Sequence, residues 1–387
     1  MPLANALLTE TDLGRPEPRY PLDLAVCAQC ALVQIPETVP PEVLFRDYIY
    51  FSSFSETMLA HARGLVARLL VERKLTAESL VVEVASNDGY LLQFYKAAGV
   101  PVLGVEPAQN IAEVARRDRG IPTLAEFFER AIAERLVAEG RRADVIHAHN
   151  VLAHVADLSG VVEGFRTLLS PGGVAVIEVP YVRDMIDRCE FDTIYHEHLC
   201  YFSLTSAARL FASHGLEVKQ VERVAIHGGS LRLVVGRPGE GRADGTVAQL
   251  LAEEAAYGVD RLDAYRAFAL RVELLKRDLR KFLGDLKAQG KTIAGYGAAA
   301  KGATLLNAAG IGVETLDFVV DRSPHKQGRL LPGVHIPVRP PEALLEAQPD
   351  YVLLLAWNLT DEVLAQQAEY RHRGGRFIIP VPEVRVL

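Results

Sequence analysis

Apolar positions recur at helical spacing from Ser53 to about Arg73, where Met58, Leu59, Leu65, Val66, Leu69 and Leu70 mark one face of an amphipathic helix. Beyond it, short apolar runs at Leu80 to Val84, Val102 to Val105, Asp144 to Ala148 and Gly173 to Val179 read as strands, with helical patterns near 90–98, 108–119 and 158–169 between them. This alternation predicts a parallel sheet covered by helices on both faces. A charge-rich stretch from Arg237 to Gly290 carries one long helical pattern, about Thr246 to Gln289, with few turn signals inside it. A second alternation follows, with strands expected at Thr292 to Tyr296, Thr315 to Val320, Tyr351 to Ala356 and Phe377 to Pro380. Residues 1–50 are rich in Pro and irregular in pattern. The expected organisation is an N-terminal lobe over 1–52, an α/β domain over 53–236, a helical connector over 237–290, and a second α/β domain over 291–387. At 387 residues the chain exceeds what one core usually organises, which agrees with that division.

Composition narrows the function classes. Hydrophobic residues are 49% and charged residues 24% of the chain, as in a globular enzyme. A formal net charge of −7 without a long basic run excludes the footprint of a nucleic-acid binder. No apolar stretch approaches the ~20 residues of a membrane span, and the first ten residues lack a basic leader, so a cytoplasmic protein is expected. Four cysteines are too few for a disulfide scaffold. Cys27 and Cys30 form one C-x-x-C pair, half of a structural zinc site, which needs four ligands. Cys189 and Cys200 are expected to pack in a core or pocket.

The run from Leu80 to Leu92 predicts a strand, a tight turn of small residues (Ala85-Ser86-Asn87-Asp88-Gly89) and a helix start. Ligands of doubly wound sheets sit where such strands end. Glu106, just past the next strand, is placed to accept both hydroxyls of a ribose, with Glu83, Ser86, Asn87 and Gly89 completing the site. A dinucleotide site would prefer G-x-G-x-x-G, whose glycines admit a pyrophosphate, whereas only Gly89 remains here. A nucleoside ligand without phosphates, such as S-adenosylmethionine, fits better. Phe127 and Phe128 are candidates to flank its adenine, with core packing the alternative for each.

Further along, Asn150 and His154 follow the fourth strand, at the open rim of the sheet. The segment Phe191 to Ser203 then concentrates Tyr195, His196, Glu197, His198, Cys200 and Tyr201. General acid–base chemistry needs an imidazole, a carboxylate to orient it and a donor for developing negative charge, and all three are present. Metal catalysis by His196-Glu197-His198 is disfavoured, because adjacent residues on a strand splay apart and a zincin needs H-E-x-x-H on a helix. His227, on the turn His227-Gly228-Gly229-Ser230, adds an imidazole that could approach a ligand or simply face solvent. In the second domain, Tyr296-Gly297-Ala298-Ala299-Ala300-Lys301-Gly302 after a strand suits a phosphate-binding turn, which leaves a nucleotide-sugar oxidoreductase, or a non-catalytic binding module, as rivals.

Together these residues resemble the sugar C-methyltransferases of deoxysugar biosynthesis. The resemblance runs nearly the full length: Pro2-Leu3-Ala4-Asn5-Ala6, Cys27-x-x-Cys30, Asp47-Tyr48 with Phe51-Ser52-Ser53, Ser86-Asn87-Asp88-Gly89, Asn150-Val151-Leu152-Ala153-His154, Tyr195-His196-Glu197-His198, His227-Gly228-Gly229-Ser230, the Tyr296 to Gly302 turn, Asp321 to Gly328, and Trp357-Asn358. It implies a zinc-ribbon-like N-terminal lobe, a class I (Rossmann-like) S-adenosylmethionine-dependent methyltransferase domain, and a C-terminal Rossmann-like domain that holds a nucleotide-sugar. The family's earlier C-x-x-C would fall ahead of Met1, so Cys27 and Cys30 are expected to supply only two zinc ligands. The implied reaction is methylation at C3 of a dTDP-linked 4-keto-deoxysugar through an enolate. The resemblance makes His198 the base, positioned with help from Tyr195 and Glu197, while Asn150 and His154 reach the C4 oxygen or the base. Tyr48, His196, His227, Tyr296, Lys301, Arg322 and Lys326 are the implied substrate contacts.

Overall fold

The computed structural model describes residues 1–40, 44, 52–226, 228–241 and 243–387. In the N-terminal lobe, β1 (Ala25–Val26) and β2 (Val33–Gln34) form a short antiparallel hairpin. The amphipathic helix expected after Ser53 spans Glu56–Glu72, capped by the Ser55 hydroxyl and burying Met58, Ala62, Leu65, Val66 and Leu69. It covers a seven-stranded sheet built from β3 (Val81–Val84), β4 (Val102–Val105), β5 (Thr123–Leu124), β6 (Ala143–His149), β7 (Leu169–Pro180), β9 (Glu217–Val224) and β10 (Ser230–Gly236). Their order is β5-β4-β3-β6-β7-β10-β9, parallel except for the closing hairpin, in which β10 runs antiparallel to both β7 and β9. One strand, β8 (Cys200–Tyr201), leaves this sheet and pairs instead with β2, with Val33 opposite Tyr201 and Gln34 opposite Cys200. The segment that concentrates the chemistry is thereby stitched to the N-terminal lobe.

The connector departs from its expected form. Two helices, Gly245–Tyr257 and Leu262–Ala288, replace the single one, because Gly258 closes the first in the left-handed conformation (φ 85°). The second is more than a spacer. Its Leu279 and Leu283 belong to one apolar cluster with Val33 and Ile35 of the lobe, Met185 and Phe191 of the middle domain, and Leu305 and Leu306 of the C-terminal domain.

The C-terminal domain is a six-stranded sheet of β11 (Ile293–Tyr296), β12 (Val319–Val320), β13 (Val338–Arg339), β14 (Tyr351–Leu354), β15 (Arg376–Ile379) and β16 (Arg385–Val386), in the order β13-β12-β11-β14-β15-β16. It is parallel up to the antiparallel edge strand β16. The strand expected from Thr315 shortens to Val319–Val320, since Gly312 to Thr315 form a turn capped by the Glu314 carboxylate. No described helix is long and apolar enough to cross a membrane.

Candidate active site

The turn after β3 is built for close approach. Ala85 and Asn87 (φ 51° and 49°) and Gly89 (φ 76°) all lie in the left-handed region. The carboxylate of Glu106, at the end of β4, holds the turn by accepting the Asn87 N–H through Oε2 and the Ala108 N–H through Oε1, each at 2.9 Å. Burial raises the Glu106 pKa against those two N–H groups, and it raises that of Glu83, with Asp88 and Glu106 adding to it. Three buried polar atoms around the turn, Glu83 Oε2, Ser86 Oγ and Asp88 Oδ1, have no hydrogen-bond partner among the described residues. Buried polar atoms are seldom left unpaired, so these fit the hydroxyls and amine of a nucleoside-amino acid ligand. Phe127 is half exposed. Phe128 is buried, stacked on Phe165 with centroids 5.6 Å apart and pressed against Gly164, in the core packing named as its alternative.

The candidate catalytic segment is a turn, where a strand was assumed. A 3-10 turn, Phe191–Thr193, leads through Tyr195 to His198 and into β8. His198 Nδ1 lies 2.9 Å from the Thr193 carbonyl and Nε2 lies 2.9 Å from the Tyr195 hydroxyl. A carbonyl can only accept, so Nδ1 carries the proton, and in the neutral ring Nε2 keeps its lone pair toward Tyr195. The His154 ring meets His198 edge to face at 4.8 Å. Burial pulls His154 down to about 4, opposed by the Glu197 backbone, so its imidazole is neutral at pH 7. Asn150, also left-handed (φ 55°), holds a buried Oδ1 with no partner among the described residues. Glu197 is buried and its pKa is raised, against a 2.6 Å hydrogen bond from Asn5 of the N-terminal segment. His196, an implied substrate contact, packs against the N-terminal lobe, and its buried Nδ1 has no hydrogen-bond partner among the described residues. Its ring is buried, hydrogen-bonded through Nε2 to the Pro21 carbonyl at 3.0 Å and set edge-on to Tyr20.

Two of the four second-domain residues come together. Tyr296 and Arg322 line a cavity of about 570 Å³ with Gln327, Glu342, Gln366 and Gln367, a volume suited to a small-molecule site. Lys326 is spent locally, donating to the Ala298 carbonyl at 2.9 Å beside Asp321. Lys301 lies outside the cavity lining, with its ammonium 4.6 Å from the Trp357 ring centroid. Tyr48 and His227 lie outside the described residues. The glycines beside His227 press onto acidic side chains: a Cβ on Gly228 would stand 2.7 Å from Glu190, and one on Gly229 would collide with Asp184.

In the lobe, the Cys30 and Gln29 backbone N–H groups turn toward the Cys27 sulfur and lower its pKa, as in one half of a zinc knuckle. No group of three or more His, Cys, Asp or Glu among the described residues could hold a metal, so the residues present fit two ligands of four. Cys189 and Cys200 are buried, as expected, and burial pushes Cys200 up to about 12.

Sequence reasoning missed a buried polar stripe under the rim. Glu178 on β7 accepts from Arg232 Nε at 2.6 Å, binds His61 at 2.9 Å, and faces His149, which is linked through His147 to the Tyr95 hydroxyl. The signal was present in the alternation of His147, His149 and Glu178 among β-branched residues on one sheet face. Asp192 and Trp357 were also overlooked, although both lie within motifs singled out above.

The strand order and the phosphate-free nucleoside turn define a class I S-adenosylmethionine-dependent methyltransferase domain. Family models divide the chain accordingly: "Putative zinc binding domain" over residues 1–45, "Methyltransferase domain" over 54–221 and "C-methyltransferase C-terminal domain" over 225–382. The C-methyltransferase NovU of Streptomyces niveus is 41% identical across all of this chain and 92% of its own, and the chain belongs to this C-methyltransferase family. The enzyme is therefore an S-adenosylmethionine-dependent C-methyltransferase. A ubiquinone biosynthesis O-methyltransferase of a Methylobacterium species is 26% identical over 49% of this chain and 80% of its own. Among solved structures, an S-adenosylmethionine-dependent methyltransferase from Clostridium acetobutylicum aligns with a TM-score of 0.37 at 12% identity, covering 46% of this chain and 91% of that one.

Proposed function

We propose that the enzyme methylates C3 of a dTDP-linked 4-keto-deoxyhexose in the cytoplasm, with His198 as the base. The observation that carries this is the fixed tautomer of His198, whose Nδ1–H is held by Thr193 and whose Nε2 lone pair is aimed at Tyr195. The neighbouring carbonyl makes the C3 proton acidic. His198 Nε2 takes that proton, and the C–H electron pair moves into the C3–C4 bond while the C4 oxygen gains the charge. The Tyr195 hydroxyl, released from Nε2 as the sugar enters, and the Asn150 amide supply donors for that oxygen. S-adenosylmethionine, when bound at Glu83, Ser86, Asn87 and Glu106, supplies an electrophilic sulfonium methyl for the C3 carbon. The imidazolium then returns its proton to solvent. Tyr296 and Arg322 hold the nucleotide handle in their cavity.

Incubating the purified enzyme with S-adenosylmethionine and dTDP-4-keto-6-deoxyglucose tests the assignment by NMR of the product. A new C-methyl singlet at C3 is expected. A methyl on C5 would keep the base chemistry and move its position, and a methyl on oxygen would overturn the proposal.

A further inference from the structure

Asp192 is fully buried in the 3-10 turn that precedes His198, and among the described residues its side chain is hydrogen-bonded to Trp357 rather than to His198 or Tyr195. Its Oδ2 accepts the indole N–H of Trp357 at 2.7 Å, across the boundary between the methyltransferase and C-terminal domains. Lys301, from the first turn of helix Ala300–Ala309, lies over the opposite part of that contact, with its ammonium on the Trp357 ring face. This helix packs directly on the Phe191–Thr193 turn. The next residue, Thr193, carries the carbonyl that fixes the His198 tautomer, and its hydroxyl closes the turn by donating to the Glu190 carbonyl at 2.7 Å. Asp192 and the base are thus two ends of one short rigid element. Burying a carboxylate is costly unless it is hydrogen-bonded, and here burial pushes Asp192 up to about 6 against the pull of Lys301 and the Trp357 hydrogen bond. A hydrophobic residue of similar size would fill this volume without that cost, which argues for a purpose beyond packing.

We infer that Asp192 is a positioning residue for the methylation reaction, through which Trp357 of the C-terminal domain locks the turn whose Thr193 carbonyl orients His198. The inference rests on His198 being the base. Without the lock, the turn keeps only the Thr193 hydroxyl and its backbone bonds, the Thr193 carbonyl shifts away from Nδ1–H, and the ring samples the tautomer that has no lone pair at Nε2.

The test uses the full chain with S-adenosylmethionine and dTDP-4-keto-6-deoxyglucose. Asp192→Ala and Trp357→Phe each remove one half of the hydrogen bond, and each is expected to lower kcat at least 10-fold while leaving the KM for S-adenosylmethionine unchanged. The double variant should be no slower than the worse single one, because both break the same bond. Asp192→Asn keeps an oxygen for the indole N–H and should recover kcat toward the parent. Parent-level kcat in Trp357→Phe, or losses that multiply in the double variant, would overturn the inference. Should Asp192→Ala fail to fold, Trp357→Phe against Asp192→Asn decides the matter. His198→Asn separates the two claims: if it turns over normally, the assignment of the base falls, whereas a dead His198→Asn beside a fully active Trp357→Phe removes only the role of Asp192.

Discussion

At Glu106 two backbone N–H groups already hold the carboxylate, so its remaining lone pairs are aimed before any ligand arrives. Glu106→Ala should therefore weaken S-adenosylmethionine binding by about 1.5–3 kcal/mol, the worth of a hydrogen bond to a charged group, and leave nucleotide-sugar binding nearly unchanged. Equal calorimetric affinities in parent and variant would remove Glu106 from the cofactor site. Single residues of this kind were legible in position, though not in role, where the end of a strand fixed their place, as with Glu106 and Asn150. Side chains whose direction depends on three-dimensional neighbours were not. His196 stands between two candidate catalytic residues in the chain but turns to Pro21, and Phe128 turns inward where Phe127 turns out. Lys301, expected to meet a diphosphate, faces an indole that is 56 residues away in sequence (357 − 301).

Elements were legible where hydrophobic period was strong, as in β3, β4 and helices Gln109–Arg119 and Leu158–Leu168. The break between the two connector helices was hidden because one glycine inside a helical pattern resembles any other until its φ is known. The turn from Phe191 to Leu199 was hidden because it has no period, being held by side-chain and backbone hydrogen bonds to three different parts of the chain, at Asn5, Ala153 and Trp357. Contact between elements yields a second prediction. Gly104 on β4 lies against the cofactor turn, where an added Cβ would run into Ser86 and stand 3.0 Å from Thr123 Oγ1. Gly104→Ala should cost about 1–3 kcal/mol of stability by overpacking, and it should weaken S-adenosylmethionine binding as Ser86 is displaced. Thermal melts with and without the cofactor measure both effects, and an unchanged cofactor-induced shift would show that the turn absorbs the methyl group.

On the scale of the whole molecule, the lobe, the methyltransferase domain and the C-terminal domain converge on one loop, through Asn5 and Pro21, the Ala153 carbonyl, and Trp357 respectively. The two sheets were readable from alternation, but this convergence was not, since its links to the lobe and the C-terminal domain join residues that are 165 to 192 positions apart. It predicts a division of labour. Arg322→Ala, in the C-terminal cavity, should raise the KM for the nucleotide-sugar about 10-fold with little change in kcat, because it removes binding shared by ground and transition states. A normal KM would send the handle elsewhere. With Cys27 and Cys30 as its ligands among the described residues, zinc should be held only weakly after dialysis, and one tightly retained zinc per chain by elemental analysis would demand two further ligands. The central claim is that His198 removes a proton from the carbon to be methylated. It is tested most directly in deuterated buffer, with S-adenosylhomocysteine in place of the methyl donor and dTDP-4-keto-6-deoxyglucose as substrate. The parent enzyme should exchange the C3 proton for deuterium without methyl transfer, and His198→Asn should slow that exchange by ~10²–10⁴, the usual worth of a general base, while binding both ligands normally. Exchange at the parent rate in His198→Asn would contradict the account.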